Sequence, residues 1–215
     1  LPTTSIPRLT QRSLRHAVRT LAERDADLAR SVERNGMPPL WAREPSFATL
    51  VHLILEQQVS LASALAAFER LQVALAEVTP AAFVGLDDGS LREIGFSRQK
   101  AGYAHDLALA MLDGSFDLAA LETMPDDDVR RELTRLRGIG GWTADVYLTM
   151  CLLRPDVWPS GDLALATGVR EVLELPARPA SEELDAIAER WRPLRAVAAR
   201  IVWNHYLGLR GRLET

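Results

Sequence analysis

Leu136-Arg137-Gly138-Ile139-Gly140-Gly141-Trp142-Thr143-Ala144 interrupts a chain that otherwise reads as helix almost throughout. Leu133 and Leu136 close one apolar-periodic segment, and Trp142 opens the next. Three glycines stand between them, at Gly138, Gly140 and Gly141. Glycine tolerates positive φ and lets another backbone come close, so this is a tight turn. The helix after the turn presents first-turn N–H groups that have no intrahelical acceptor, at the positive end of its dipole. Such an end suits a phosphate. Ile139 is an apolar plug for the tip of the hairpin. A glycine-capped αα-corner with no ligand accounts for a bare Gly-Ile-Gly on its own.

Outward from this turn the periodicity is helical. Thr10 stands where it caps a helix reaching about residue 33, with Leu14, Val18, Leu21 and Leu28 at helical spacing. Gly36 and Pro38-Pro39 end it. Pro45-Ser46 opens a strongly apolar helix carrying Phe47, Leu50, Val51, Ile54 and Leu55. Ser60, Thr79-Pro80, Ser97 and Pro125 open four more. Residues 142–152, 163–173, 181–191 and 194–207 complete the set, with Pro193 placed for the first turn of the last. No segment alternates like a strand between hairpin turns. The fold class expected is all-α, with roughly ten short helices. Two irregular stretches remain, 136–141 and 154–162.

Composition sets the outer bounds. The 215 residues, 47% apolar and 25% charged, are ordinary for a globular protein. No apolar run reaches the roughly 18 residues of a membrane span. The first residues lack a charged start followed by an apolar stretch, so no secretory signal is expected, and a cytoplasmic location is (nucleoid-associated in a bacterium). Cys151 is the only cysteine, which excludes an intramolecular disulfide and an all-cysteine metal or iron–sulfur site. The net charge of −4 argues against a nucleic-acid partner until its distribution is considered. Lys100 is the only lysine. Arginines cluster in 8–24 (Arg8, Arg12, Arg15, Arg19, Arg24) and in 187–212 (Arg190, Arg192, Arg195, Arg200, Arg210, Arg212). Such runs serve equally as solvated faces or as a phosphate-binding surface.

Asp162 precedes Leu163-Ala164-Leu165-Ala166, a helix start, and an N-cap role is sufficient for an aspartate there. Its position gains meaning from the hairpin. Leu133, Leu136, Gly138, Ile139, Gly140 and Ala144 match the helix-hairpin-helix motif, and Asp162 lies 162 − 140 = 22 residues beyond Gly140. The stretch 136–162 resembles the helix-hairpin-helix DNA glycosylases, whose signature is this hairpin, a Gly/Pro-rich loop and an aspartate. Trp142-Thr143-Ala144 and Trp158-Pro159-Ser160-Gly161-Asp162 are most similar to the AlkA type, the alkylpurine (3-methyladenine) glycosylases. Ile54-Leu55-Glu56-Gln57-Gln58-Val59-Ser60 and Glu189-Arg190-Trp191-Arg192-Pro193-Leu194-Arg195 agree, so the resemblance covers roughly residues 40 to 208.

The resemblance implies a two-lobed helical fold without an N-terminal β domain. Residues 45–155, holding the hairpin (133–150), would form a central lobe. Residues 1–44 with 156–215 would form the second, with an active-site cleft between the two. It implies a base-excision-repair enzyme that flips an alkylated purine out of double-stranded DNA and hydrolyses its N-glycosidic bond, as a monomer and without a membrane partner. Asp162 would be the catalytic carboxylate, stabilising oxocarbenium character at C1′ and orienting or deprotonating water. Gly138, Gly140 and Gly141 would hold phosphate, with Thr143 adding a hydroxyl. Gln58 would fill the vacated stack, and a plain helix-end residue reads the same way. Trp142 and Trp203 match pocket aromatics suited to a cationic base, although large aromatics on apolar helices also simply pack. Trp41 and Trp158 are further aromatics available to a cleft. Val146 stands where the AlkA-type pocket has an aromatic, which implies a roomier site. Members often hold a monovalent cation on hairpin carbonyls; the matching positions for Na⁺ or K⁺ are Thr134, Leu136 and Ile139. No cofactor is required, and the four cysteines of the iron–sulfur branch are missing. Trp142 occupies the position of the lysine used by strand-cleaving branches, so hydrolysis without strand cleavage is expected.

Two other readings use some of the same residues. A non-catalytic helix-hairpin-helix DNA-binding protein needs the hairpin but neither Asp162 nor the tryptophans. A glycosylase for another lesion (hypoxanthine, uracil, oxidised guanine) needs all of them with a different pocket. A third and weaker reading is an all-helical protein whose arginine face binds an acidic partner.

Overall fold

The computed structural model describes residues 6–211, and among them it holds twelve α-helices, two 3-10 turns and no strand. The all-α expectation is met. None of these helices is long and apolar enough to cross a membrane. Two compact units form, Arg43–Tyr147 and Leu1–Ala42 with Leu148–Thr215.

The Arg43–Tyr147 unit is built on α3 (Phe47–Glu56), whose N-cap Ser46 accepts from the Thr49 N–H. Phe47, Leu50, Val51, Leu53, Ile54 and Leu55 are all buried, so most of this helix sits inside, with only Ala48, Thr49 and His52 partly exposed. It packs on α4 (Leu61–Ala74) and α7 (Arg98–Leu112). Short helix α5 (Pro80–Phe83) packs on α7, and α6 (Asp88–Ile94) packs on both α4 and α7. Phe83 meets Phe47 and Phe96 edge-on, at 5.7 Å in each case. Periodicity alone does not reveal α6, because Asp87-Asp88-Gly89-Ser90 reads as a turn. The Asp87 carboxylate instead caps the helix by accepting from the Ser90 N–H. The hairpin joins α8 (Asp126–Thr134) to α9 (Gly141–Met150).

In the other unit the single N-terminal helix expected to about residue 33 is two helices, α1 (Gln11–Arg24) and α2 (Ala26–Asn35). The break is at Asp25, whose carboxylate accepts from the Asp27 and Leu28 N–H groups. A short acidic side chain that satisfies the next turn's donors competes with helix continuation. The same buried carboxylate accepts from Trp191 Nε1 at 2.8 Å and pairs with Arg190 at 2.7 Å. Trp191 ends α11 (Ser181–Ala188) and its 3-10 extension. The last helix, α12 (Arg195–Gly208), is buried from Ala196 to His205 and packs on α10 (Leu163–Val172), α2 and α1. Pro193 lies just before α12 rather than in its first turn, in a cis peptide with Arg192.

Arg200 is fully buried on α12, with no acidic partner among the described residues. It donates to the carbonyls of Leu40, Ala196 and Thr149. Burial lowers its pKa to about 10, which still leaves it charged at neutral pH. Its donors tie the backbone before Trp41 and the end of α9 to α12.

Candidate active site

Asp162 caps α10. Its Oδ1 accepts from the Leu165 N–H at 2.8 Å and from Trp203 Nε1 at 3.3 Å. Trp203 projects from α12 and is 8% exposed. Trp41 meets it edge-on, with centroids 6.4 Å apart and planes at 75°. Trp41 is half-buried and holds φ at 47°. A bulky residue in the left-handed region is an outlier, and such strain persists only where its surroundings over-determine it. Here the surroundings include Arg200, bonded to the neighbouring Leu40 carbonyl at 3.0 Å. Trp158, the other tryptophan available to a cleft, is core: it is 4% exposed and packs on Trp191 at 5.5 Å.

The Arg43–Tyr147 unit carries the other set. In the hairpin Leu136 N–H donates to Leu133, Ile139 N–H to Leu136 and Ala144 N–H to Gly140. Ile139 is the buried plug, at 4% exposed. Of the three glycines only Gly138 lies at positive φ, +85°. A Cβ there would sit 2.1 Å from the Tyr103 ring. At Gly140 and Gly141 a Cβ would meet nothing within 4 Å, so the fold itself does not demand glycine at either position. Open backbone at a helix N-terminus leaves room for another backbone to approach.

Gln58 is exposed, at φ 57°, directly after α3. Its neighbour Gln57 is turned inward: Nε2 donates to the Gly138 carbonyl at 2.8 Å and to Thr143 Oγ1 at 3.1 Å. Thr143 is 2% exposed, so its hydroxyl serves this link and does not face solvent, contrary to a direct role on a phosphate. Lys100 Nζ donates to the carbonyls of Leu55 and Gln57, each at 2.7 Å. Burial lowers the Lys100 pKa. Trp142 is half-buried in the first turn of α9, and Val146 is buried at 3%. Arg43 makes a two-pronged bond to the buried Glu56 carboxylate, at 2.8 and 3.1 Å.

The C-terminal arginine run is not a free basic face. Arg190 pairs with Asp25 and Asp27, while Arg192 and Arg195 pair with Asp156 and Glu189. Arg210 pairs with Glu171, and Arg200 is internal. Arg212 lies outside the described residues. Acids distant in sequence (Asp25, Asp156, Glu171) meet these arginines only in the folded chain. Arg12, Arg15 and Arg19 on α1 are exposed. Sequence reasoning also missed the Gln57 and Lys100 links. Their one visible signal was Lys100 as the lone lysine.

Residues 51–193 match the model of the HhH-GPD superfamily base excision DNA repair proteins, a span that contains Gln57, Gln58, the hairpin and Asp162. The chain belongs to the HhH-GPD superfamily. DNA-3-methyladenine glycosylase 1 of Schizosaccharomyces pombe is 28% identical over 166 residues, covering 75% of this chain and 72% of that protein. YfjP of Bacillus subtilis is 28% identical over 180 residues, 80% of this chain, which spans 63% of YfjP's own length. A solved structure of an S. pombe 3-methyladenine DNA glycosylase in complex with abasic DNA superposes with a TM-score of 0.81 at 27% identity, covering 87% of this chain and 95% of that one. The HhH-GPD fold is thus the fold of this chain. Trp41 and Trp203 lie outside the matched span and stand on the geometry alone.

Proposed function

We propose that this protein is a monofunctional DNA glycosylase that hydrolyses the N-glycosidic bond of alkylated purines, 3-methyladenine in type, in duplex DNA. The observation that carries this reading is the Asp162 carboxylate, held by two N–H donors, one of them the Trp203 indole, which Trp41 meets edge-on. The glycosylase names of the similar proteins, one of them solved with abasic DNA, support the reaction class and the DNA partner.

The chemistry follows from charge. A 3-methylated adenine is cationic, so the electron pair of its glycosidic bond returns to a ring that becomes neutral on leaving. Positive charge then develops on the sugar, and a fixed carboxylate stabilises it. Water adds to C1′ and its proton passes to Asp162 or to solvent, giving an abasic site and free base. Electron-rich indoles favour the cationic base by about 0.5–2 kcal/mol. Trp203 and the Trp41 ring edge-on to it would supply the stacking. On the DNA side, the α9 N-terminus with open Gly140 and Gly141 would take phosphate, and Gln58 would fill the stack. A Na⁺ or K⁺ on the Thr134, Leu136 and Ile139 carbonyls would add positive charge at the same turn. The Leu136 carbonyl already accepts from Ile139, and a carbonyl has a second lone pair to offer. Lys100, the only lysine, is committed to two backbone carbonyls.

A panel of duplexes, each with one lesion, tests this reading. Release of 3-methyladenine or 7-methylguanine, with strands intact until alkali is added, is expected. Release of only uncharged lesions such as uracil or hypoxanthine would overturn the substrate assignment.

Gln58→Gly separates the strain at that residue from its use. Relief of left-handed strain, roughly 1–2 kcal/mol, exceeds the roughly 0.5–1 kcal/mol of chain entropy that glycine adds. Denaturant unfolding should show stability unchanged or slightly raised. Single-turnover excision from duplex should fall about tenfold for want of the filling side chain.

A further inference from the structure

The Gln57-Gln58 turn and the phosphate hairpin are distant in sequence, yet the fold joins them by side chains that neither element needs for its own backbone. Gln57 lies 81 positions before Gly138, and its carboxamide donates to both the Gly138 carbonyl and the Thr143 hydroxyl. Helix α7 braces both ends of this link. Lys100, near its start, holds the Leu55 and Gln57 carbonyls, which α3 leaves without intrahelical donors. Tyr103, one turn further on, lies against Gly138 so closely that no Cβ fits between them. Arg137 of the hairpin covers the same ring at 5.5 Å and pairs with Asp106 of α7 at 3.3 Å.

We propose that Gln57 and Lys100 are positioning residues that lock the base-filling turn to the phosphate hairpin. Seating a phosphate on the hairpin thereby fixes where Gln58 stands. This rests on the glycosylase reading, since it assigns Gln58 to the stack and α9 to the phosphate. Gln58 itself makes no part of the lock: its exposed side chain rides on a left-handed residue whose neighbour is held on three sides. The arrangement shifts the cost of ordering the turn to folding, before DNA arrives, the usual gain from preorganisation.

The test uses Gln57→Leu and Lys100→Met, with Lys100→Arg as the conservative control, in the full chain. Two readouts are taken. Amide hydrogen exchange of the DNA-free protein reads the lock directly: Gln57→Leu should speed exchange at residues 136–144, and Lys100→Met at 55–60, by about tenfold or more. Single-turnover excision then compares a lesion opposite a normal base with the same lesion opposite an abasic gap, where little unpairing is needed. Gln57→Leu should lose about thirtyfold on the paired substrate and less than about threefold on the gapped one. Lys100→Arg should stay within about threefold of wild type on both, because guanidinium donors also reach carbonyls. A merely structural role would depress both substrates alike, and that result would overturn the proposal. Unchanged exchange at 136–144 in Gln57→Leu would overturn it as well, whatever the excision rates. A wild type that releases no base from any lesion, while exchange responds as expected, would instead remove the glycosylase reading and leave the lock standing.

Discussion

Asp162→Asn should fold, bind duplex and fail to excise. Asparagine caps helices as well as aspartate, so α10 keeps its start, and its amide oxygen still accepts from the Leu165 and Trp203 N–H groups. Thermal unfolding should therefore shift little, with a cost below about 1 kcal/mol. What disappears is the negative charge that opposes the developing cation on the sugar. Loss of one preorganised electrostatic partner costs a hundredfold to a thousandfold, and here the partner is a full charge. Single-turnover excision of an alkylated purine should fall by about a thousandfold or more, some 4 kcal/mol. Duplex affinity should stay within about threefold, because the proposed phosphate contacts do not involve Asp162. A variant that bound normally and still excised at the wild-type rate would reduce Asp162 to a helix cap.

The hairpin glycines should divide by role. Gly138→Ala places a methyl within the Tyr103 ring, at a residue whose φ of +85° already disfavours any side chain. The ring must leave the hairpin or the turn must reshape, and overpacking with left-handed strain costs about 3 kcal/mol or more. Loss of stability and of DNA binding should arrive together. Gly140→Ala meets no protein atom within 4 Å. Its stability should change by less than about 0.5 kcal/mol. Its duplex affinity should still fall about tenfold, because the added methyl would stand in the way of the proposed phosphate contact. Denaturant titration and fluorescence anisotropy on both variants check this division. Equal behaviour of the two would show that the turn needs its glycines for folding alone.

The legible parts of this protein were those set by local periodicity and local caps. Ser46, Ser60, Thr79 and Ser97 all cap as read, and Ile139 is the buried plug. The helix break at Asp25 was not legible, because Leu14, Val18, Leu21 and Leu28 keep helical spacing across it. Its cause is partly remote, since Trp191 and Arg190 hold the same carboxylate. The arginine run at 187–212 misled for a similar reason: its partners Asp25, Asp156 and Glu171 are brought to it by folding. For candidate site residues, motif spacing pointed to Asp162, Gln58 and the hairpin. It could not reach the Trp203–Asp162 bond, the strained Trp41 or the Gln57 link, which depend on contacts between distant helices. Thr143 shows the limit most plainly. Its place in the motif suggested a hydroxyl for phosphate, and its burial assigns that hydroxyl to Gln57.

The most direct measurement incubates wild-type protein with methylated duplex DNA in ¹⁸O-labelled water and follows base, sugar and strand together. Free 3-methyladenine should appear in step with abasic sites that carry ¹⁸O at C1′, in strands that stay intact, with no adduct trapped by borohydride. No released base, or a borohydride-trapped adduct on Lys100 with strand cleavage, would contradict hydrolysis by an Asp162-dependent glycosylase.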